Sequence, residues 1–467
     1  MNQRWTLHVE NFARIKSADI EIAPMMCFIG DNNSGKSYVM SLLWGIMSNE
    51  NFFSRLIRNK NFTEPETYIN CKEFILEHIG KKVTIDTEIA QMFLNFFNDL
   101  MNLYKEELVR RIFNHDVKIS KIEIKNLTRE RELVLEIERS IKATYVEFAQ
   151  GTTTILDLSG ANSNDKITDK IGINLPIEDK KIEKTLWSAI IKFVYRILMM
   201  DWLITRETLI ETLPVYLPAS RTGFLMTYRQ IASSLVKLGF SIDSDNGREQ
   251  STLTAPYIQF IRFLLELNDT DSQTPDNHKE LVDFIRSEIL HGTITVKNDG
   301  NIIRYQANDI TEELPLSVTS SVVTETASLL LLLTTRIPLR LIIIEEPEAH
   351  LHPALQKKIA QLLIRFVHND IPIWITTHSD TILQHFNNMI KLNNRSKKER
   401  EELLREFGYT EEDLLTPEEI NLYQFERGDK HTTIQKLKSG KYGFVAPSFN
   451  KAIDKLMSEI FAFQEDD

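Results

Sequence analysis

The chain has 467 residues, 42% of them hydrophobic and 26% charged, with a net charge of −11. This is globular composition, long enough for more than one core, and the acidic balance disfavours a surface built mainly to grip duplex DNA phosphates, although a local basic groove would not show in the sum. Two cysteines, Cys27 and Cys71, exclude a disulfide framework and a multi-cysteine zinc site.

The opening MNQRWTLHVENF lacks the apolar core of a signal peptide, and no apolar run reaches the roughly 18 residues that span a bilayer. A cytoplasmic protein with no membrane partner is expected. TLHVENF and ADIEIA alternate apolar with polar at period two and predict half-buried strands. CFIGDNNSGKSYVM follows, in which Gly30, Gly35, Lys36 and Ser37 satisfy G-x-x-x-x-G-K-[ST]. The apolar run MMCFI before it reads as a buried strand and YVMSLLWGIM after it as a helix, the context this motif requires. Backbone N–H groups of the loop, with Asn32, Asn33 and Ser34 among them, then face phosphate; Lys36 reaches the β/γ-phosphates and Ser37 ligates Mg²⁺. ATP and Mg²⁺ are the expected cofactors.

Residues 41–115 predict mostly helix, with apolar positions three and four apart in EIAQMFLNFFNDLMNLYKEELVRRIF. VKISKIEIKNL, RELVLEIE and KATYVEFAQ predict a β-rich patch with one charged, solvated face, and residues 181–210 a long helix. LPVYLPAS predicts a strand leading to Arg221, which either touches phosphate or a partner or is a surface loop arginine. Helices are expected again over 224–290, with a polar break at NDTDSQTPDN. GTITVKNDGNIIRYQ predicts a hairpin turning at Asp299–Gly300. No internal repeat and no long heptad array is present.

In RLIIIEEPEAHLHPALQ, Leu341–Ile344 is an apolar run of buried-strand type that ends in Glu345 and Glu346. Ligands of α/β sheets gather at the carboxyl ends of strands, so the acids are expected to face the Lys36 loop, one holding the Mg²⁺ shell and the other orienting or deprotonating water. IPIWITTHSDTIL predicts another strand ending at Thr377, His378 and Ser379, where a histidine can bond a γ-phosphate. His350, His352 and Glu348 admit a metal reading, which histidines two apart in a turn disfavour. The remaining residues predict a charged helix (SKKEREELLREF), a strand (INLYQFERG) and a terminal helix (SFNKAIDKLMSEIFAF).

The N-terminal loop, the acid pair after an apolar strand, EAHLHP and a strand ending TTHS together resemble the ABC-type ATPase heads of the OLD, RecF and SMC group. The resemblance implies an α/β fold, a P-loop NTPase of ABC-ATPase type with an antiparallel β subdomain and helical insertions. It divides the chain into a first half of the head (1–223, with a helical insertion at about 41–115), a helical insertion (224–290) and a second half (291–467). It further implies Glu346 as catalytic base, His378 as switch histidine, and Ser37 and Glu345 as metal-holding residues, Glu345 standing where the wider family has aspartate. Ser321, in LPLSVTSSVVTETASLLLLL, is the implied signature serine that acts on the ATP of a second copy in a head-to-tail dimer. The residues after it depart from the family's glycine, Ser320 is the next choice, and a plain helix cap is the structural alternative.

With ninety or so residues after His378, a Toprim nuclease is not expected, and without a long heptad array neither is the SMC coiled coil. The profile therefore resembles the ATPase subunits of bacterial anti-phage systems, of PARIS type first and Septu type next. Such a subunit would assemble as an ATP-bridged homo-oligomer, control a separate effector nuclease or toxin and respond to a phage-encoded trigger. The alternative is a RecF-like repair ATPase that clamps DNA.

Overall fold

A computed structural model describes residues 3–59, 62–129, 132–140, 158–160, 168–176, 179–195, 214–240, 253–267, 278–297, 302–335, 339–440 and 443–463. Its centre is a nine-stranded sheet. Numbered in chain order, the strands lie side by side as β5 (Lys121–Arg129), β1 (Gln3–Phe12), β2 (Ile15–Glu21), β16 (Thr432–Leu437), β15 (Ile420–Arg427), β3 (Met25–Gly30), β14 (Ile373–Thr376), β13 (Ile342–Glu345) and β9 (Val215–Leu217). β15, β3, β14, β13 and β9 are mutually parallel, so their carboxyl ends share one edge. β5, β1 and β2 pair antiparallel and form the antiparallel β region.

Alternation along the parallel strands assigns their side chains to two cores. Met26, Phe28, Ile343, Trp374, Tyr423 and Phe425 face one core, and Cys27, Ile29, Ile342, Ile344, Ile375 and Leu422 face the other. Strands buried on both faces read as continuous apolar runs, which is why MMCFI and LIII carry no polar alternation.

Over the first face lie α1 (Lys36–Ser48), α2 (Glu50–Arg55), α3 (Tyr68–Glu77), α4 (Thr87–Leu103), α5 (Lys105–Phe113) and α6 (Asp179–Lys192). α4 opens on Asp86, whose carboxylate accepts from Ile89 N–H at 2.8 Å, and buries Phe93, Phe96, Phe97 and Leu100. A second sheet, ordered β4 (Lys81–Thr84), β6 (Glu132–Ser140), β8 (Thr168–Pro176) and β7 (Leu158–Gly160), sits with these helices. Its β6 and β8 run parallel and its other pairs antiparallel.

The opposite face carries α7 (Arg221–Phe240), α8 (Ala255–Leu265), α9 (Lys279–Phe284), α10 (Ser321–Thr334), α11 (Pro353–His368) and α12 (Asp380–Asn393). β10 (Gly292–Lys297), β11 (Ile302–Ala307) and β12 (Leu314–Pro315) make a small antiparallel sheet, and α13 (Lys397–Phe407) and α14 (Pro447–Phe463) follow.

The helices of 224–290 are not a peripheral appendage. Leu225, Phe260, Ile261, Leu281 and Ile285 are buried in the core that holds Cys27 and Ile29. The apolar stripe that marked them as helices is the stripe that closes one side of the central sheet. The last strands also fall within the first half: β15 lies beside β3, so the sheet is completed by residues some 390 positions apart, for example Phe28 opposite Tyr423. β16 was not expected, because TTIQKL is largely polar; it is held by β15, pairs with β2 at Thr432–Ile15 and reaches its far end through Lys436, whose Nζ donates to Glu21 Oε2 at 2.6 Å. The expected strand KATYVEFAQ, the end of the helix expected at 181–210, the break at 268–277 and the Asp299–Gly300 turn lie outside the described residues, although β10 and β11 pair antiparallel on either side of that turn. Among the described residues, no helix is long and apolar enough to cross a membrane.

Candidate functional site: a phosphate loop and an acid pair on one sheet edge

The loop between β3 and α1 is shaped by contacts that only glycine tolerates. Gly30 has φ 125°, and a Cβ there would lie 2.0 Å from Phe425 O on the neighbouring β15. Gly35, at φ 98°, caps α1 in the left-handed region. Asp31 N–H donates to Phe425 O at 3.2 Å and the Asp31 carboxylate accepts from Arg427 N–H at 3.0 Å, so β15 braces the loop from both sides.

Lys36 is buried, and its Nζ donates to Gly30 O at 2.9 Å and Asp31 O at 2.7 Å. The ammonium thus rests on carbonyls of the loop it serves. Burial pulls its pKa down to about 8, against the opposing pull of the Glu346, Asp31 and Glu348 carboxylates. Asn32, Asn33 and Ser37 are exposed, and the Ser34 hydroxyl is buried without a hydrogen-bond partner among the described residues. An orphaned buried hydroxyl, a cation parked on the loop's own carbonyls and a loop opening a helix N-terminus fit a nucleotide's phosphates.

β13 and β14 deliver the other half. Parallel pairing places Glu345 opposite Thr376, one strand removed from β3. Glu345 is 2% exposed. Its Oε1 accepts from Tyr216 Oη at 2.8 Å, and its Oε2 from Ala219 N–H at 3.1 Å and Tyr257 Oη at 3.1 Å. Burial keeps both phenols protonated and able to donate. A carboxylate offers about four lone-pair sites, so Glu345 keeps about one for a metal or its water, and it is held rigid by its tyrosines. Ser37, exposed at the start of α1, is the less constrained of the two metal-holding candidates.

Glu346 is different. Its side chain is 43% exposed, its backbone is left-handed at φ 44°, and its N–H donates to Thr376 O at 2.9 Å. His378 Nε2 stands 3.8 Å from its Oε1. Burial and the Lys36 charge hold the His378 pKa below its ordinary value, so the imidazole is neutral at pH 7. Glu348, buried beneath them, accepts from Thr377 Oγ1 and His378 N–H, each at 2.7 Å, and burial pushes its carboxyl above the usual range. It anchors the turn that carries His378. The Glu346 charge acts on both Lys36 and His378 and the Lys36 charge on His378, and Glu346 and His378 are open to solvent. A cation for phosphate, a carboxylate to accept a water proton and a neutral imidazole able to bond phosphate oxygen are what phosphoanhydride hydrolysis requires.

Ser321 is exposed at the first position of α10, and its Oγ donates to His350 O at 3.4 Å rather than to the phosphate loop. Ser320 occupies the cap position with no side-chain cap bond, so neither hydroxyl is consumed by capping. The metal reading of His350, His352 and Glu348 does not hold. His350 pairs with Glu325, His352 accepts from Ala354 N–H at the start of α11, and Glu348 turns inward to Thr377. Among the described residues no group of histidine, cysteine and carboxylate side chains is arranged to hold a metal. Arg221 is neither surface nor phosphate-facing: it is 2% exposed beneath the acid pair. Tyr216, Tyr257 and Glu325 escaped sequence reasoning, and Glu348 entered it only through the metal reading. Of these only Tyr216 carried a signal, as the polar-capable side chain in an otherwise apolar strand.

A β-strand, phosphate loop and helix, joined in parallel to strands that carry a carboxylate pair and a histidine, define a P-loop ATPase. Residues 6–383 match the AAA ATPase domain family model AAA_15, and the chain belongs to that family. It is an ATP-binding ATPase. Comparison with curated proteins finds no match. Among solved structures the chain is similar to the SMC head bound to the C-winged helix domain of ScpA, at 9% identity, 93% coverage of this chain, 97% of that chain and a TM-score of 0.34. The SMC head domain from Thermotoga maritima shares 10% identity over 94% of this chain and all of its own (100%), with a TM-score of 0.36. The Smc head domain with an extended coiled coil, bound to the C-terminal domain of ScpA derived from Pyrococcus furiosus, shares 10% over 97% and 98%, with a TM-score of 0.35.

Proposed function

We propose that this ATPase is a nucleotide-gated sensor and scaffold subunit. Two copies pair head to tail around ATP, Lys36, Ser37, Glu346 and His378 of one copy holding and hydrolysing it while Ser321 of the other completes the site. Slow, regulatory hydrolysis in the paired form resets or releases a separate effector nuclease or toxin, as in the anti-phage systems of PARIS and Septu type that the sequence resembles. The observation that carries the pairing is the separation of parts: phosphate-holding, metal-holding and proton-accepting groups converge on one sheet edge, whereas the Ser321 hydroxyl is exposed on another element and bonded only weakly to His350 O. A net charge of −11 favours a protein effector over a clamp on DNA.

The test is complementation. Lys36→Ala removes the phosphate-holding charge and Ser321→Arg blocks the donated serine, so each variant alone should be inactive. A mixture contains pairs with one intact composite site and should regain hydrolysis to a fraction approaching one quarter of the parental rate, from the statistics of mixing. Recovery of no activity, with both variants folded, would reject the pairing. Effector control is tested by purifying the chain together with the products of neighbouring genes with and without ATP; a nuclease retained with ATP and released on hydrolysis is the expected outcome.

A further inference from the structure

Beneath the acid pair lies a buried ionic junction that the hydrolytic machinery does not itself use. Arg221 opens α7 and is 2% exposed. Its guanidinium donates from Nη1 to Glu345 O at 2.8 Å and from Nη2 to Glu346 O at 3.1 Å. The same Nη2 stands 2.9 Å from Glu325 Oε2, and Nε donates to Glu325 O at 3.3 Å. Glu325 sits on α10, one turn beyond Ser321, and is itself 2% exposed at its side chain. Its other oxygen accepts from Thr222 Oγ1 at 2.8 Å and pairs with His350 Nδ1 at 2.9 Å. His350, in turn, has φ 56°, and its carbonyl receives the Ser321 hydroxyl.

Two non-glycine residues in this junction, Glu346 and His350, are thus held in the left-handed region. Such backbones are strained and persist only where surrounding contacts over-determine them. Arg221 supplies that determination for Glu346, because it grips the carbonyls of both acids at once. Only a planar fork with five donors can meet these acceptors together; lysine, a point charge, cannot. Burying an ion pair is a poor route to stability, since desolvation offsets most of the attraction, and its best-attested use is to fix one arrangement.

We propose that Arg221 is a positioning residue for hydrolysis. It holds the Glu346 backbone so that the carboxylate meets the attacking water. Through Glu325 it ties that geometry to α10 and the Ser321–His350 surface, so that engagement of this surface sets the hydrolytic rate. The proposal deepens the pairing described above and rests on it for its second part. The Arg221 donors are directed to Glu345 O, Glu346 O and Glu325, so its effect passes through Glu346.

The test compares the parent with Arg221→Gln and with the double variant Arg221→Gln/Glu325→Gln. Removing Arg221 alone leaves Glu325 buried and unpaired, so the single variant can fail by unfolding. The double variant removes both charges and keeps near-isosteric amides, and it carries the decision. ATP affinity, single-turnover hydrolysis and specific activity as a function of protein concentration are measured, with mass determined in parallel. The proposal expects the double variant to bind ATP within about twofold of the parent and to hydrolyse it roughly tenfold to a hundredfold more slowly, the loss that misplacement by about 1 Å brings. Its specific activity should stay flat at concentrations where the parent's rises with dimer mass. Parental hydrolysis by the folded double variant would overturn the proposal, and so would a fall in ATP affinity equal to the fall in rate, which marks general structural support. Should the parent show one mass and one specific activity at every concentration, the pairing and the coupling both fail, whereas the split between affinity and rate still decides the role of Arg221.

Discussion

Glu345 is the most heavily bonded carboxylate at the site, and its two tyrosines make unequal contributions that can be measured. Tyr216→Phe removes the one donor on Oε1 among the described residues, leaving that oxygen buried without it. Tyr257→Phe removes one of two donors on Oε2, where Ala219 N–H remains. A hydrogen bond to a charged group contributes roughly 1.5–3 kcal/mol, and a buried acceptor left unmade loses the full amount, so about 2–3 kcal/mol is expected for Tyr216→Phe and about 1 kcal/mol for Tyr257→Phe. The first variant also frees the Ser41 hydroxyl, which donates to Tyr216 Oη at 3.4 Å and links the acid to α1. Urea unfolding of parent and both variants, followed by tryptophan fluorescence, reads the two losses as midpoint shifts at unchanged slope. Equal losses, or a larger one for Tyr257→Phe, would show that Glu345 is not held as described.

Two further expectations follow from the loop. Gly30→Ala places a methyl group 2.0 Å from Phe425 O at a φ of 125°, so the loop must move off β15; ATP affinity measured by fluorescent-nucleotide titration should drop at least tenfold even if the sheet survives. Lys36, with its pKa held near 8 by burial, loses its charge as pH rises through that value, so ATP affinity should fall between pH 7 and 9 in the parent but stay level in Lys36→Ala. The sign for stability is opposite: the folded state binds this proton more weakly than the unfolded chain, so the cost of burying it is present below about pH 8 and is relieved as pH climbs toward the unfolded value.

The candidate site residues were readable because the proposed chemistry demands particular residues at particular spacing. The glycines, Lys36 and Ser37 stand in one loop, and Glu346 and His378 each lie just past the end of a buried strand, so local pattern located them and parallel topology brought them to one edge. What supports them was not readable, because it is assembled by distance in the chain. Tyr257 reaches Glu345 across 88 positions, Glu325 reaches Arg221 across 104 and Arg427 braces Asp31 across 396. None of these residues carries a local mark. Arg221 illustrates the limit: an arginine after Ser220 in a turn reads as exposed, and only the packing of α7 against α10 turns it inward. The helices of 224–290 showed the same gap, since an apolar stripe predicts a helix without saying whether it covers the central sheet or a surface of its own.

The central claim is that Glu346 accepts the proton of the attacking water while the remaining groups hold the nucleotide. Glu346→Gln keeps the shape of the side chain and leaves Glu345, Lys36 and Ser37 in place. Single-turnover hydrolysis by this variant, measured beside its ATP affinity and mass, is the most direct test. The account predicts ATP binding close to parental, hydrolysis slower by about 10²–10⁴-fold, and accumulation of the paired form. Hydrolysis at the parental rate would contradict it and place the proton acceptor elsewhere.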